Sequence, residues 1–309
     1  MKYAVENHYP GQSEPASFKL LCYFCRDNTD FMKLTPIVAD TWMMDGGVAF
    51  GVVPKSLWSR VYPEERDNLI RIVTRCLLIQ TANRNILIDT GMGDKRGEKY
   101  YTYKYRFGGS GMVEPLAEAG LSPADITDVV FTHLHDDHVG GATFINERGE
   151  VEELFKNATY RISATHWEWA KNSNKREAAA YFSDNLDPIG DSGRLLLIEE
   201  EGEWLDGISF RFYHGHTRGQ MVPFIKTGDT TFVYTADFIP SRVHIPIPYV
   251  PAVDVEPLLS MAEKESFLKE ALDNDYILLF EHDYFNEGCR LSYTGGRIVA
   301  GEAFKFKTE

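Results

Sequence analysis

Apolar and polar positions along the chain predict a layered α/β protein. Runs of branched and aromatic residues have strand length and predict strands over Leu34–Met44, Leu69–Thr81, Asn85–Asp89, Ile126–Phe131, Thr159–Ser163, Leu195–Ile198, Ile208–His214, Thr231–Ala236 and Tyr276–Phe280, with short strands in 290–306. Helical periodicity predicts helices over Met112–Ala119, Ala164–Lys171 with a continuation through 172–182, and Glu256–Asn274. Strands in both halves, with helices between them, indicate two packed sheets with helices outside.

Two segments depart from this regular pattern. Residues 1–33 are polar and turn-rich, and we expect them to form a dispensable N-terminal extension before a single domain over 34–309. No linker rich in Pro, Gly or Ser divides that domain. Residues 94–111 carry several tyrosines without a clean period and are predicted to form a long loop. Such loops are often lids or binding loops, and a plain surface loop is the alternative.

Composition narrows the class of partner. Hydrophobic residues make up 43% of the 309 residues, enough for a proper core. A net charge of −14 argues against a nucleic-acid partner and against an anionic membrane surface. Four cysteines suit a reducing compartment, and Cys22 and Cys25 form a lone pair for which we expect no role. With no apolar run of membrane-spanning length and no secretory signal, we expect a cytoplasmic protein.

Potential metal ligands are concentrated just after one predicted strand. Three histidines and two aspartates occupy six positions, namely His133, His135, Asp136, Asp137 and His138. Imidazole and carboxylate are the ligand types that a divalent metal such as zinc accepts. A solvated polar loop is the alternative, but nine histidines spread over the chain would rarely place three so close together.

Further ligand types follow other predicted strands. His216 comes after the strand Ile208–His214, Asp237 follows Thr231–Ala236, and His282 follows Tyr276–Phe280. If these strands run in the same direction, their ends meet at one edge of the sheets. Six or seven ligands are enough for two metal ions.

The motif His133-x-His135-x-Asp137-His138, followed by His216, Asp237 and His282 in this order, resembles the metallo-β-lactamase superfamily. The match spans about residues 34–300, and Gly215-His216-Thr217 and Asp89-Thr90-Gly91 fit it too. The resemblance implies a four-layer αββα sandwich, with a dinuclear site along one edge of the β-sandwich.

The resemblance also assigns roles to individual residues. It gives His133, His135 and His216 to the first metal, gives Asp137, His138 and His282 to the second, and makes Asp237 the bridge. Two divalent ions are implied, with Zn²⁺ favoured and Mn, Fe or Co also acceptable to such a site. A metal-bridging hydroxide then attacks the substrate, and Asp137 and Asp237 are the catalytic carboxylates.

We do not expect the remaining residues near these motifs to bind metal. We expect Asp89 to orient ligands rather than to bind metal. His216 is preferred to His214 because it stands in the Gly-His-Thr pattern. His166 is expected to be a packing or surface residue, and Asp136 to face solvent or lie behind the ligands.

The segments Ala236–Ser241, His244–Tyr249 and Phe280–Asp283 are most similar to the branch of N-acyl-homoserine lactonases and methyl-parathion-type hydrolases. Some lactonases of that branch have a tyrosine three residues after the bridging aspartate, where this chain has Pro240. His244, or a tyrosine of the loop at 100–105, is the candidate replacement. The expected pocket walls are Trp42, Phe107, His244 and Tyr249.

The sequence therefore favours a dinuclear metal hydrolase that opens a small lactone of the N-acyl-homoserine type, which is quorum-quenching chemistry. The alternatives are an organophosphate triester hydrolase, a broad β-lactamase-like or thioester hydrolase and, outside enzymes, a metal-dependent sensor. The expected partner is a small-molecule substrate, without nucleic acid or membrane, and a homodimer is left open.

Overall fold

The computed structural model describes residues 32–109 and 111–306. Within these ranges the strands are β1 Lys33–Asp45, β2 Leu69–Gln80, β3 Asn85–Ile88, β4 Asp128–Val130, β5 Thr143–Ile145, β6 Val151–Glu153, β7 Thr159–Ser163, β8 Leu195–Ile198, β9 Gly202–Leu205, β10 Ile208–Tyr213, β11 Gln220–Thr227, β12 Thr230–Tyr234, β13 Ile277–Leu279, β14 Gly288–Thr294 and β15 Arg297–Phe304. The α-helices of the same ranges are α1 Gly46–Phe50, α2 Lys55–Trp58, α3 Glu98–Tyr103, α4 Val113–Glu118, α5 Asp136–Val139, α6 Ala164–Lys171, α7 Ser183–Asp191 and α8 Pro257–Asp273.

The expected extension over 1–33 lies outside the described residues except for its last two positions. Cys22 and Cys25 lie outside the described residues too. The domain boundaries therefore stay a prediction. In the ranges that are described, every helix is too short or too polar to cross a membrane.

Strand pairing forms two large sheets in the described part of the chain. The first has the order β1-β2-β3-β4-β7-β8, and the second runs from β9 to β15 in sequence order. In the second sheet β12 and β13 are parallel, while β10 and β12 are each antiparallel to β11. Strands β10, β12 and β13 therefore run in one direction, and their carboxyl ends lie at the same edge.

Alternation along β2 shows how the layers pack. Leu77 and Ile79 point into a core shared with the second sheet, where they join Ile208, Phe210, Ile225 and Phe232. Cys76 and Leu78 point to the opposite face, against Leu116 of α4 and Leu186 and Ile189 of α7. The other face of the second sheet packs on α8 through Phe267, Leu268 and Ala271. Helix, sheet, sheet and helix follow one another, so the four-layer αββα sandwich is confirmed.

Most predicted elements are confirmed, and the exceptions have local causes. The predicted helix through 172–182 is wrong, because the Asn174 side chain accepts hydrogen bonds from Arg176 N and Glu177 N and stabilises a turn. The predicted loop 94–111 contains helix α3. Strand β11 was not expected, since Pro223 within it disfavours a central strand.

Candidate metal centre

The candidate ligands stand at one edge of the sandwich because the strands before them end there. In each case the ligand lies three residues past the last residue of its strand, as in Val130 to His133, Tyr213 to His216, Tyr234 to Asp237 and Leu279 to His282. The two sheets are tied together at this edge by a hydrogen bond from Met221 N to Thr132 O of 2.8 Å. The expected convergence of strand ends is therefore present in the structure.

The first group of ligand atoms comes from His133, His135, His216 and Asp237, and these atoms all lie within 4.8 Å of one another. His135 Nδ1 is 3.2 Å from His216 Nε2, which is 3.1 Å from Asp237 Oδ2. His133 Nε2 is 3.8 Å from the same aspartate oxygen. Three imidazole nitrogens and one carboxylate oxygen thus face a common point.

A second group forms beside the first from Asp137, His138 and His282. The Nε2 atoms of His138 and His282 are 3.3 Å apart. The carboxylate oxygens of Asp137 lie 3.9 Å from His138 Nε2 and 3.8 Å from His282 Nε2. Short helix α5, which begins at Asp136, brings Asp137 and His138 onto this side.

Asp237 stands between the two groups. Its Oδ2 approaches His216 in the first group, and its Oδ1 lies 2.9 Å from His282 Nε2 and 3.6 Å from His138 Nε2 in the second. Asp237 Oδ1 has no hydrogen-bond partner among the described residues. Its short approach to His282 Nε2 is therefore not a hydrogen bond. Both atoms instead face the space between them, as two ligands of one ion do.

These residues fit a metal. Zinc bonds nitrogen at about 2.0–2.1 Å, so tetrahedral ligand atoms lie about 3.3 Å apart, close to the observed separations of 2.9 to 3.9 Å. His133 Nε2 also has no hydrogen-bond partner in the described part of the chain, although the residue is fully buried. A buried polar atom without a partner is costly, and a cation would satisfy it.

The charges of the cluster also favour a cation. Burial lowers the pKa of His133 well below its usual value, so this imidazole is neutral. Burial opposes ionisation of Asp237, but His282 and His216 outweigh it and hold the pKa of that carboxyl well below its usual range. Burial likewise opposes the charged form of His216, yet Asp237 and Asp254 raise the pKa of this imidazole to about 10. The carboxylates therefore favour positive charge here, which a metal supplies when it displaces protons.

The outer nitrogen of each ligand histidine is hydrogen-bonded. His135 Nε2 donates to Glu177 Oε1 at 3.2 Å, and His216 Nδ1 donates to Asp254 Oδ1 at 2.8 Å. His282 Nδ1 donates to the carbonyl of Val73 at 2.9 Å. A proton on the outer nitrogen leaves the lone pair of the inner nitrogen directed at the metal position.

Asp89 organises the remaining two histidines. Its Oδ2 accepts from His138 Nδ1 at 3.2 Å and from Thr132 Oγ1 at 2.6 Å. Thr132 Oγ1 in turn accepts from His133 Nδ1 at 3.1 Å. Asp89 is fully buried and has a positive φ of 57°, a backbone conformation that non-glycine residues adopt rarely. The structure thus places Asp89 behind the candidate ligands, in contact with His138 and Thr132.

The other candidates near the motif lie outside the two groups. His166 is buried, and its Nε2 accepts from Leu134 N at 2.9 Å, so it holds the backbone of the motif from outside. His214 Nδ1 accepts from Gly219 N at 3.1 Å, away from the cluster. Asp136 is buried rather than solvent-facing and pairs with Lys104 Nζ at 3.1 Å and with the Tyr100 hydroxyl.

A cavity opens beside Asp137, Asp237 and His282. Most of its wall is apolar and comes from β1, α1, β2 and the segments around them, namely Met44, Ala49, Phe50, Tyr62, Ile70, Ile72, Pro240, Pro251 and Val253. Ser241 and His244 are polar, and Tyr62 adds a hydroxyl to the described lining. A small substrate with an apolar arm fits such a wall.

The four expected wall residues take different positions relative to this cavity. His244 lines it, but Trp42, Phe107 and Tyr249 are outside the described lining. Trp42 is buried and directed to Thr74 Oγ1 at 3.2 Å, with its ring edge-on to His282. Phe107 is 44% exposed and lies against Tyr284. Tyr249 packs on Phe50 from behind the wall. The positions of these side chains depend on how the chain folds around α1, and no local sequence pattern predicts them.

The structure also restricts what replaces the tyrosine expected at Pro240. The Tyr100 hydroxyl donates to Asp136, and the Tyr101 hydroxyl donates to Gly93 O at 2.8 Å. Tyr103 is 73% exposed. Both ring nitrogens of His244 are hydrogen-bonded inside the protein. None of these described side chains offers a donor directed at the metal position.

Sequence reasoning missed Glu177 and Asp254, the acceptors behind His135 and His216. Each is one carboxylate among 46 acidic residues and stands in no motif. Glu281 was seen only as the neighbour of His282, yet it is fully buried with Oε2 3.1 Å from His138 Nδ1. Its position directly before His282 was the one available signal.

Comparison with known proteins agrees with the fold. The family model of the metallo-beta-lactamase superfamily matches residues 70–282. An N-acyl homoserine lactonase of Bacillus cereus is 25% identical over 241 residues, which cover 72% of this chain and 87% of the relative.

Two solved structures are similar over most of the chain. A probable metal-dependent hydrolase from Staphylococcus aureus has a TM-score of 0.79 and 31% identity, with 89% of this chain and 98% of that chain covered. AidC, a dizinc quorum-quenching lactonase in complex with the product N-hexanoyl-L-homoserine, has a TM-score of 0.72 and 21% identity, with 91% and 100% covered.

An αββα sandwich with a histidine and aspartate cluster at its edge defines a class of metal-dependent hydrolases. The chain belongs to the metallo-β-lactamase superfamily.

Proposed function

We propose that the protein is a dinuclear metal-dependent hydrolase that opens the ring of a small lactone of the N-acyl-homoserine type. The observation that carries the dinuclear part is the position of Asp237, which has one carboxylate oxygen toward each group of histidines. A carboxylate that divides its oxygens in this way bridges two ions in two-metal hydrolases.

The lactone part is supported by the cavity and by the relatives. The wall beside the ligands is mostly apolar and suits an acyl chain. The curated relatives that match this chain are N-acyl homoserine lactonases, and the product of such a reaction is bound in AidC. Cleavage of an acyl homoserine lactone would make this protein a quorum-quenching enzyme.

The proposed reaction needs the metal ions and the carboxylates beside the cavity. When bound, the ions supply Lewis-acid polarisation of the ester carbonyl and a nucleophile from water at neutral pH. Asp137 and Asp237 both face the cavity. Burial opposes ionisation of Asp137, but His138 and Lys104 outweigh it and lower the pKa of its carboxyl. An anionic carboxylate at this position can hold the proton that ring opening transfers to the leaving oxygen.

Metal content tests the dinuclear site. We expect elemental analysis to give about two ions per chain, with Zn²⁺ favoured over Mn, Fe or Co by the mixed histidine and carboxylate ligands. His135→Ala is expected to lose one ion and nearly all turnover, whereas His214→Ala, which lies outside the cluster, is the matched control and keeps both. Full activity in His135→Ala would refute the proposal.

A substrate panel tests the lactone. Metal-loaded protein is assayed with N-hexanoyl homoserine lactone, a phosphotriester, a thioester and a β-lactam. We expect the highest kcat/KM for the lactone. If the phosphotriester or the thioester is the better substrate, the protein is a hydrolase of that class instead.

A further inference from the structure

We propose that Ser241 is a substrate-binding residue whose Oγ accepts a hydrogen bond from an N–H of the substrate, an inference that rests on the proposed lactonase function. Ser241 and His244 line the cavity that also contains Asp137, Asp237 and His282. Both are almost fully buried. The direction of the hydrogen bonds between them determines what Ser241 can offer a ligand.

The first step is the protonation of His244. Its Nε2 lies 2.8 Å from the carbonyl oxygen of Ala49. A carbonyl oxygen accepts hydrogen bonds and cannot donate them, so Nε2 carries the proton. Burial lowers the pKa of His244 to about 4, and the ring is neutral at physiological pH. A neutral imidazole has one proton, so Nδ1 is an acceptor.

The second step follows at Ser241. Its Oγ lies 2.7 Å from His244 Nδ1. Because Nδ1 can only accept, the Ser241 hydroxyl donates its single proton to that nitrogen. The oxygen keeps lone pairs but has no further proton. Toward the cavity, Ser241 is therefore an acceptor and never a donor.

Neighbouring residues hold His244 in place. The His244 ring stacks on Phe50 with centroids 5.2 Å apart, and Lys264 Nζ donates to the His244 carbonyl at 2.9 Å. The hydrogen bonds of the two ring nitrogens, to Ala49 O and from Ser241 Oγ, fix which nitrogen faces Ser241. The fold thus fixes the direction in which the Ser241 hydroxyl donates its proton.

An acceptor in this position selects a chemical class. An N-acyl homoserine lactone has an amide N–H next to its ring, whereas an alkyl lactone or an ester-linked analogue has none. Within the described lining, the hydroxyl of Tyr62 donates to Arg71 O at 2.7 Å, so it does not compete for this role. We infer that Ser241 makes the enzyme prefer lactones that carry an acylated nitrogen.

The test uses two substrates that differ at one position. One is N-hexanoyl homoserine lactone, and the other is its ester isostere, in which oxygen replaces the amide N–H. We expect Ser241→Ala to lower kcat/KM for the amide by about tenfold, the size expected for one lost hydrogen bond. The ester isostere is expected to change by less than about twofold, the scale of a neutral substitution. Ser292→Ala, at an exposed position of β14, is the control and leaves both unchanged.

A second variant checks the direction of the proton. His244→Phe keeps a ring beside Phe50 but removes the acceptor Nδ1, so the Ser241 proton can turn toward the cavity. Because Oγ keeps its lone pairs, we expect it to reduce the preference for the amide by less than Ser241→Ala does. Calorimetric binding of N-hexanoyl homoserine to each variant, together with its melting temperature, separates lost substrate contact from lost folding.

The outcomes distinguish the two proposals. If the wild type opens both lactones and Ser241→Ala lowers both rates equally, or lowers neither, the role of Ser241 is overturned while lactonase activity stands. If the wild type opens neither lactone, the proposed function fails and this inference fails with it.

Discussion

Two of the candidate ligand histidines are hydrogen-bonded to acceptors that lie far away in the chain. Glu177 is 42 residues from His135, and Asp254 is 38 residues from His216. Each acceptor takes the outer N–H of an imidazole and so sets which nitrogen faces the metal position. Such residues contribute to metal affinity without touching the ion.

Asp254→Asn tests this role. Asp254 accepts from His216 Nδ1 through one oxygen and from Ser260 Oγ at 2.6 Å through the other. An amide has one acceptor oxygen and no negative charge, so the hydrogen bond that orients the His216 ring is weakened. We expect metal affinity to fall by about 10- to 100-fold, measured by competition with a chelator of known affinity.

The control for this variant is Asp229→Asn, which makes the same chemical change at an exposed turn between β11 and β12. It is expected to bind metal as the wild type does. Equal affinities in Asp254→Asn and Asp229→Asn would show that the His216 contact does not matter.

At the scale of elements, helix α8 fixes the segment that walls the cavity. Lys264 of α8 is 2% exposed, and its Nζ donates to three carbonyls, at 2.9 Å to His244, 3.3 Å to Pro246 and 2.7 Å to Tyr249. An ammonium group has three donors, and all three are used. The segment therefore depends on one buried side chain rather than on strand pairing.

Lys264→Met removes these donors at similar length. The buried carbonyl of His244 and the partly buried carbonyl of Tyr249 would lose the bond from Lys264, whereas Pro246 O keeps the bond from Tyr249 N. We expect the free energy of unfolding to fall by about 1–3 kcal/mol, measured by urea titration. Lys269→Met on the same helix changes an exposed lysine paired with Glu265 and is expected to stay within about 0.5 kcal/mol of the wild type. Equal free energies of unfolding for the two variants would contradict the role of Lys264 in fixing this segment.

The segment 94–111 is attached to β1 by a buried ion pair. Arg106 Nη2 lies 2.7 Å from Asp40 Oδ1, and the Asp40 side chain is fully buried. Burial raises the pKa of Asp40 to about 6, although Arg106 opposes this shift. Because the folded pKa is above the unfolded value of 3.8, the contribution of this carboxyl to stability is fully present below pH 3.8 and is lost as pH rises through 6.

Arg106→Met leaves Asp40 without its counterion. At pH 8 the carboxyl must be buried as an anion, and we expect a loss of about 3–5 kcal/mol in the free energy of unfolding. At pH 5 the carboxyl takes up a proton and the loss shrinks. Urea titrations at both pH values measure the difference, with Arg148→Met on the exposed hairpin as the control. A loss that does not depend on pH would refute this explanation.

At the scale of the whole molecule, the candidate metal centre connects the two sheets. His133, His135, Asp137 and His138 follow β4 of the first sheet, whereas His216, Asp237 and His282 follow strands of the second. An ion bound by both sets would cross-link the layers at one edge. Metal binding should therefore stabilise the fold as a whole.

Chelation measures this stabilisation. Removal of the ions is expected to lower the melting temperature and the free energy of unfolding, by about 2.7 kcal/mol for an ion present at 100 times its Kd. Adding Zn²⁺ back to the chelated protein restores both values. His216→Ala, which removes a ligand of the second sheet, is expected to respond less to the chelator, and an unchanged melting temperature in the wild type would contradict the cross-link.

Elements with strong local patterns were predictable. Strand β2 and helix α6 appear where apolar runs and periodicity place them. Helix α3 was not predictable, because its tyrosines gain their positions from tertiary contacts such as the bond from Tyr100 to Asp136. Helix α7 was not expected because Pro188 lies inside it.

The sequence by itself determined the candidate ligands, because each stands three residues after a buried strand or in the compact motif from His133 to His138. Only the tertiary structure decided which groups surround them. The contact from His244 to Ala49 spans 195 residues and sets the proton of Ser241, and Asp254 reaches His216 from another loop. Such pairings depend on how the layers pack, and no local spacing of residues encodes them.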